Sequence, residues 1–398
     1  FDQDDYENDD TQTWFSDWLY DENALIEETI PEVAVDPNEI STLLFTSGST
    51  GRPKGVQLTH GSLYRSAKNL SEFYDWKKSD RFLVTSELDS MSGLRNACVG
   101  TLCAGVSIVV PKVEKDRNVF SLVLEVESNN VTIITATPAL VKQLISLGDR
   151  IANQLKSLRQ VICTGADLSP KMIKEFKNLF DIRILNYYGL TETTGICIGE
   201  PESTTDEKMG SIGQQVGAIA QIVDDQDNLM KIGETGNLRV YTENLMRGYE
   251  DESVESDLFI KDGWVYTGDL ASQDVDGYFF LKGRKRELIK NERGEIVYFK
   301  EVEDCILSHP NVKETTVGAV KKEGIEKLVA FVILEKGYTE KGLLTTDIRK
   351  HIGKQIGRHK IPFYVNAVEK FELTSRGKVD RRKMIKLLMN DEQKLPSA

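Results

Sequence analysis

The sequence predicts an α/β protein: a large N-terminal α/β domain carrying a β-rich subdomain, followed by a small C-terminal α+β domain. Three observations predict it. From Glu39 to about Asn186, apolar runs alternate with segments of helical periodicity, the pattern of a parallel sheet with covering helices. After Met209 the runs shorten, gain Val, Ile, Tyr and Phe, and are bounded by Gly, Asp or Asn, which suits a β-rich subdomain such as a small barrel. Past Gly283–Glu287 the order becomes helix, strand, strand, helix. The 398 residues leave room for two or three domains at roughly 150 residues each.

Residues 1–37 are acidic and dotted with aromatics (Phe1, Tyr6, Trp14, Phe15, Trp18, Tyr20), and read as an arm whose rings anchor elsewhere. Over 38–208 the expected strands are Ser41–Thr46, Phe82–Thr85, Val106–Val110, Val131–Ala136, Gln160–Thr164 and Ile182–Asn186. Helices fall between them. Thr137-Pro138 and Ser169-Pro170 each offer a capping hydroxyl followed by a proline that needs no N–H in the first turn. Over 209–283 the expected strands are Ala218–Val223, Asn237–Tyr241, Gly263–Thr267 and Gly277–Leu281. Over 284–398 the helices Lys300–Ser308 and Thr346–Ile356 flank strands Thr315–Val320 and Leu328–Leu334.

Composition excludes several classes. Apolar residues make up 40% and charged residues 28%, so the chain is neither disordered nor collagenous as a whole. No run of roughly 18 apolar residues would cross a membrane. No basic stretch followed by an apolar one stands at the front, so a cytoplasmic location is expected, with no membrane partner. Net charge is −13, unevenly spread. Residues 1–40 hold fourteen acidic and no basic side chains, whereas Arg284 to the end holds 25 basic against 17 acidic, a surplus of eight. That suits an anionic small molecule or an acidic partner, and is too weak for nucleic acid. Five cysteines (98, 103, 163, 197, 305) lack Cys-x-x-Cys spacing, and the four histidines (60, 309, 351, 359) lack metal-ligand spacing.

The strongest chemical signal is TSGSTGRPKGV, residues 46–56, directly after an apolar strand. Gly48, Gly51 and Gly55 let backbone N–H groups close around phosphate oxygens. Thr46, Ser47, Ser49 and Thr50 line the same run with hydroxyl donors, and Lys54 adds a compact positive charge. The spacing is not that of the Walker loop, because Lys54 follows Pro53 and precedes Gly55.

With this loop the chain resembles the adenylate-forming superfamily: acyl-CoA synthetases, adenylation domains of peptide synthetases, and luciferases. The resemblance spans roughly residues 38–390. In NYYGLTETTG (186–195) it implies that Tyr188 stacks on adenine, Thr191 contacts the α-phosphate and Glu192 holds magnesium. In CTGADL (163–168) it implies that Gly165, Ala166 and Asp167 line the adenine pocket. In WVYTGDL (264–270) Asp269 takes both ribose hydroxyls, a role that suits a carboxylate because it accepts twice. GRKREL (283–288) puts Arg284 beside the ribose and Arg286 at an interdomain hinge. ELTSRGKVDRRKM (372–384) carries Lys378 as the mobile catalytic lysine, in a form similar to the peptide-synthetase branch. SELDSMSGLRN (86–96) is the counterpart of the acid pocket, with Asp89 or Ser90 as candidate substrate contacts.

The resemblance implies attack of a small carboxylic acid on the α-phosphorus of ATP, with Mg2+, to give an acyl-adenylate and pyrophosphate. The acyl group then passes to a thiol of CoA or of phosphopantetheine on an acyl or peptidyl carrier protein. No general base is needed, since a carboxylic acid with a pKa of roughly 4–5 is ionised at neutral pH. The alternative is a non-catalytic nucleotide-binding module derived from the family. The chain departs from the pattern at Glu287, where the family has Asp, and at Phe299, where it has Pro. Only 45 residues precede the phosphate loop, against well over a hundred in the family. On that pattern most of a first subdomain is expected to be missing, with an apolar face exposed or covered by a partner.

Overall fold

The computed structural model describes residues 34–47, 53–111, 118–166, 168–251, 259–290, 295–322, 325–335, 341–373 and 379–390. β1 (Ile40–Ser47) and β2 (Pro53–Thr59) pair antiparallel, with Thr46 opposite Lys54 and Ser47 opposite Pro53. β1 had been expected within the parallel sheet. It belongs instead to a separate three-stranded sheet, where its antiparallel partner is β2, the next strand in sequence. Helix α1 (His60–Phe73) follows, opened by a capping box in which Thr59 and Ser62 satisfy each other's backbone N–H.

The main sheet is built from β3 (Arg81–Leu83), β4 (Ser107–Val109), β5 (Ile133–Ala136), β6 (Gln160–Cys163), β7 (Ile184–Leu190), β8 (Gly195–Gly199) and β9 (Gln214–Gln215), in the order β4-β3-β5-β6-β7-β8-β9. The first five strands in that order are parallel to their neighbours, and β8 and β9 continue antiparallel. Successive strand residues alternate between two cores. Leu83, Ile134, Val161 and Ile184 pack with helices α3 (Val119–Ser128), α4 (Pro138–Leu147) and α5 (Pro170–Phe180). Phe82, Ile133, Ile162 and Leu185 pack on the other face with Leu70, Tyr74 and Ala97. A strand covered on both faces is apolar at every position, which is why these runs stand out in the sequence. Thr137 and Ser169 cap α4 and α5, each with proline in the first turn. Between β3 and β4, Ser92–Gly100 forms a π-helix that leads into the short α2 (Thr101–Ala104).

The β-rich part is a five-stranded antiparallel sheet of β10 (Ile219–Val223), β11 (Gly236–Tyr241), β13 (Phe259–Lys261), β14 (Trp264–Gln273) and β15 (Phe279–Arg284). It branches rather than closing into a barrel among the described residues. The ten-residue β14 takes β13 along 264–266 and β15 along 269–273, with a bulge at Leu270/Ala271. β12 (Gly248–Tyr249) returns to pair with β2.

The C-terminal part opens with a hairpin, β16 (Leu288–Lys290) and β17 (Ile296–Tyr298), and α6 (Phe299–Leu307). The long antiparallel β18 (Val312–Lys322) and β19 (Ile325–Leu334) follow, then α7 (Lys341–Gln355), β20 (Tyr364–Ala367) parallel to β19, and α8 (Arg381–Asn390). Val317, Leu328, Ala330 and Val332 face one core, and Val320, Val329 and Phe331 the other. Lys171 of α5 reaches the Val312 carbonyl and Glu335, both at 3.2 Å, and Lys142 of α4 pairs with Glu314, so the start of β18 and the end of β19 rest on these helices.

Arg381 links three points of this domain. It pairs with Glu287 at 2.7 Å and Glu303 at 2.9 Å, and its Nε donates to the Thr316 hydroxyl at 3.1 Å. The Phe299 N–H donates to the Glu287 carbonyl at 3.0 Å. A proline there would lack that donor, so the departure from the family pattern has a structural use. Large apolar side chains are exposed near β4 and α3, among them Leu102, Val110 and Phe120. No helix among the described residues is long and apolar enough to cross a membrane.

Candidate active site

The best-formed corner is around Asp269 on β14. Its side chain is only 6% exposed. Oδ2 accepts from the Tyr188 hydroxyl at 2.6 Å, and Oδ1 faces Arg284 Nε at 3.1 Å. The antiparallel register that sets Asp269 opposite Arg284 brings the ion pair together, and Tyr188 arrives from β7. Burial raises the Asp269 carboxyl above the usual carboxylate range, with Arg284 and Tyr188 partly offsetting it. Burial also pushes the Tyr188 phenol well up, and the Asp269 charge adds to this, so the phenol is a donor at neutral pH. A carboxylate has about four acceptor sites. With one partner on each oxygen, Asp269 keeps capacity for a vicinal diol.

A second group forms where β7 turns into β8. Thr191 and Glu192 are half-buried on this turn. The Glu192 carbonyl accepts from Met246 N–H at 2.8 Å, and its Oε1 accepts from the Tyr249 hydroxyl at 3.0 Å. Tyr249 lies on β12, which pairs with β2, and Lys54 of β2 is buried with Nζ 5.7 Å from the Tyr249 ring centroid. Glu192 and the cation of the phosphate-loop segment therefore share one tyrosine, Glu192 at its hydroxyl and Lys54 over its ring. Thr46, opposite Lys54, is half-buried at the end of β1. No cluster of three or more His, Cys, Asp or Glu suited to a metal occurs among the described residues. A lone carboxylate still fits Mg2+, which takes one or two carboxylates together with phosphate oxygens.

The remaining expected residues are placed as follows. Gly165, at φ +90°, and Ala166 are exposed just beyond β6, and a Cβ on Gly165 would meet nothing within 4 Å. Arg286 is exposed in the turn after β15. Asp89 is exposed, and the Ser90 hydroxyl holds a turn, donating to the Glu87 carbonyl at 2.7 Å and accepting from Gly93 N–H at 3.1 Å. Gly48, Ser49, Thr50, Gly51, Asp167 and Lys378 lie outside the described residues, as does the side chain of Ser47. Sequence reasoning passed over Arg95, the fourth residue of the π-helix and wholly buried on it. Its only signal was a lone arginine in the segment already matched to the acid pocket.

Comparison with known proteins shows the family. The family model of the AMP-binding enzymes matches residues 2–250, and that of their C-terminal domain matches residues 301–378. The chain belongs to the adenylate-forming, AMP-binding enzymes. It is 30% identical to the indoleacetate–CoA ligase of Aromatoleum aromaticum over 87% of this chain and 66% of that protein. It is 29% identical to the sulfoacetate–CoA ligase of Cupriavidus necator over 88% of this chain and 67% of that protein. Among solved structures it resembles the O-succinylbenzoate coenzyme A synthetase of Bacillus subtilis in complex with ATP and magnesium ion, with a TM-score of 0.76 and 27% identity over 90% of this chain and 72% of that one. The chain spans about two thirds of the length of the curated relatives it matches.

Proposed function

We propose that this adenylate-forming protein activates a small carboxylic acid with ATP and passes the acyl group to CoA. The observation that carries the reading is the Asp269–Tyr188–Arg284 corner, a buried carboxylate with spare acceptor sites, together with Glu192 and Lys54 meeting at Tyr249. The names of the relatives favour a ligase over a non-catalytic nucleotide-binding module, and CoA over a carrier protein as acceptor.

In this reading Asp269 receives the ribose hydroxyls, Tyr188 the adenine face, and the backbone of residues 46–51 with Lys54 the phosphates. Gly165, Ala166 and Asp167 edge the base. Mg2+ held by Glu192 would neutralise charge on the phosphate oxygens. Thr191 and Lys378 steady the α-phosphate while the ionised acid attacks it and pyrophosphate leaves. The task for the protein is to hold two anions together and to stabilise the growing phosphoryl charge, which calls for position and cations rather than a base. The basic C-terminal part suits the phosphates of CoA, and Arg286 would be the hinge about which that part turns to admit the thiol. A compartment that holds both ATP and CoA, such as the cytoplasm, suits this reaction.

Exchange of labelled pyrophosphate into ATP, driven by a panel of carboxylic acids, tests the reading. At least one acid should stimulate it, and Lys378→Ala should lower it on the order of 100-fold, as loss of one oxyanion donor does. ATP binding with no exchange for any acid would favour the non-catalytic module.

A further inference from the structure

The segment matched to the acid pocket holds a positive charge that its surroundings do not balance. Arg95 lies on the π-helix with no exposed surface. Its Nη2 donates to the Tyr187 hydroxyl at 3.0 Å, and Asn96 Nδ2 donates to the same oxygen at 3.1 Å. Nε and Nη1 of Arg95 have no hydrogen-bond partner among the described residues, and neither has Asn96 Oδ1. The guanidinium carbon stands 5.4 Å from the Tyr187 ring centroid. The nearby titratable groups Tyr74 and Cys197 are neutral at pH 7, since burial pushes the phenol well up and the thiol to about 11. A guanidinium cannot shed its proton, so it cannot relieve burial as a lysine or histidine would.

Its place gives the charge a use. A Cβ on Gly195 would come within 2.8 Å of the guanidinium carbon and Nη2, so the side chain lies directly against that glycine. Gly195 pairs with Leu190 and closes the turn that carries Thr191 and Glu192. The unpaired donors therefore sit a short way from the residues assigned to the α-phosphate and the metal. The segment that presents them is wound as a π-helix, a form that concentrates at functional positions.

We propose that Arg95 receives a second anionic group, a carboxylate or sulfonate, at the far end of the acid being activated. The substrates are then short acids with two negative ends: one attacks the α-phosphorus, and the other stays bound through Nε and Nη1. A monocarboxylic acid of equal length would leave the buried charge unmatched. This inference rests on the ligase reading above.

The test compares acids of matched length in pyrophosphate exchange: malonate with propanoate, succinate with butanoate, and sulfoacetate with propanoate. For the best pair, kcat/KM should favour the doubly charged acid by at least about 100-fold, mostly through KM, because the matched acid strands buried donors. Arg95→Met should remove that preference, bringing kcat/KM for the doubly charged acid down to that of its monocarboxylic partner, and Arg95→Lys should keep part of it. Exchange with monocarboxylic acids as efficient as with their doubly charged partners would overturn the inference and leave the ligase reading standing. An equal fall for both kinds of acid in Arg95→Met would also overturn it. If that variant fails to fold, the wild-type ratio decides alone. Exchange with no acid would remove the ligase reading and this inference together.

Discussion

Asp269 and Arg95 are both nearly enclosed, at 5% and 0% exposure, yet their surroundings treat them in opposite ways. Asp269 has a phenol on one oxygen and a guanidinium on the other. Arg95 has one phenol and two nitrogens without partners among the described residues. The first is a charge already matched by partners within the protein. The second is a charge whose balance waits on what enters. On the readings proposed above, the contrast teaches that the nucleotide end carries its own counter-charges, whereas the acid end leaves one to be supplied by the substrate.

The sharpest way to break this contrast is Asp269→Ala. It strands Tyr188 and Arg284 and removes the diol acceptor. Losing one partner of a buried charged pair costs about 2–5 kcal/mol, so KM for ATP should rise about 100-fold. An unchanged KM would show that the corner is structural only. Next in size is Arg286→Pro. By fixing φ it should spare adenylate formation and slow thioester formation at least about 10-fold. Equal loss of both half-reactions would remove the hinge assignment.

Arg95→Met should move stability the other way from a typical core substitution. Replacing an unpaired buried charge with an apolar chain of similar length should stabilise the acid-free protein by about 1–3 kcal/mol, read as a higher melting temperature. A lower melting temperature would mean that the charge is already balanced.

The smallest effect concerns Glu200, a third buried charge. Burial pushes its carboxyl up to about 7, against the lowering effects of the Asn186 N–H, Arg183 and Ser211. The folded protein thus holds this proton after the unfolded chain has lost it. Its contribution favours folding at the acid end and is lost as pH rises from about 4.5 through 7. Between about pH 6 and pH 8 the wild type should lose about 1 kcal/mol that Glu200→Gln retains, measured as diverging melting curves. Parallel curves would contradict the assignment.

How much of this was readable from residues alone differs between the two ends in the same way. β5 and β6 are buried at every position and read as strands because both faces are covered. The glycine-rich loop, the Tyr188–Glu192 run and Asp269 carry short motifs, because phosphate, base and ribose are the same for every member. Pairing is harder. Nothing in Ile40–Ser47 says that its partner is the strand after the loop rather than a distant parallel neighbour, nor that β14 is long enough to serve β13 and β15 at once. The π-helix has no periodic signature, so the side of Ser92–Gly100 that faces inward could not be assigned. Asp89 and Ser90 are candidates only through the resemblance, in a segment whose buried polar residues are Arg95 and Asn96.

The bonds of Arg381 carry a mechanical consequence. Glu287 directly follows Arg286, and Arg381 stands three positions beyond Lys378. The proposed pivot and the start of the last helix are bolted to one guanidinium, with Glu303 and Thr316 as cross-braces. On the proposal that Arg286 is the hinge, a swing about it would haul the root of the terminal loop along as rigid cargo, and withdrawing the ammonium would clear the way for a thiol in a single stroke of one crank.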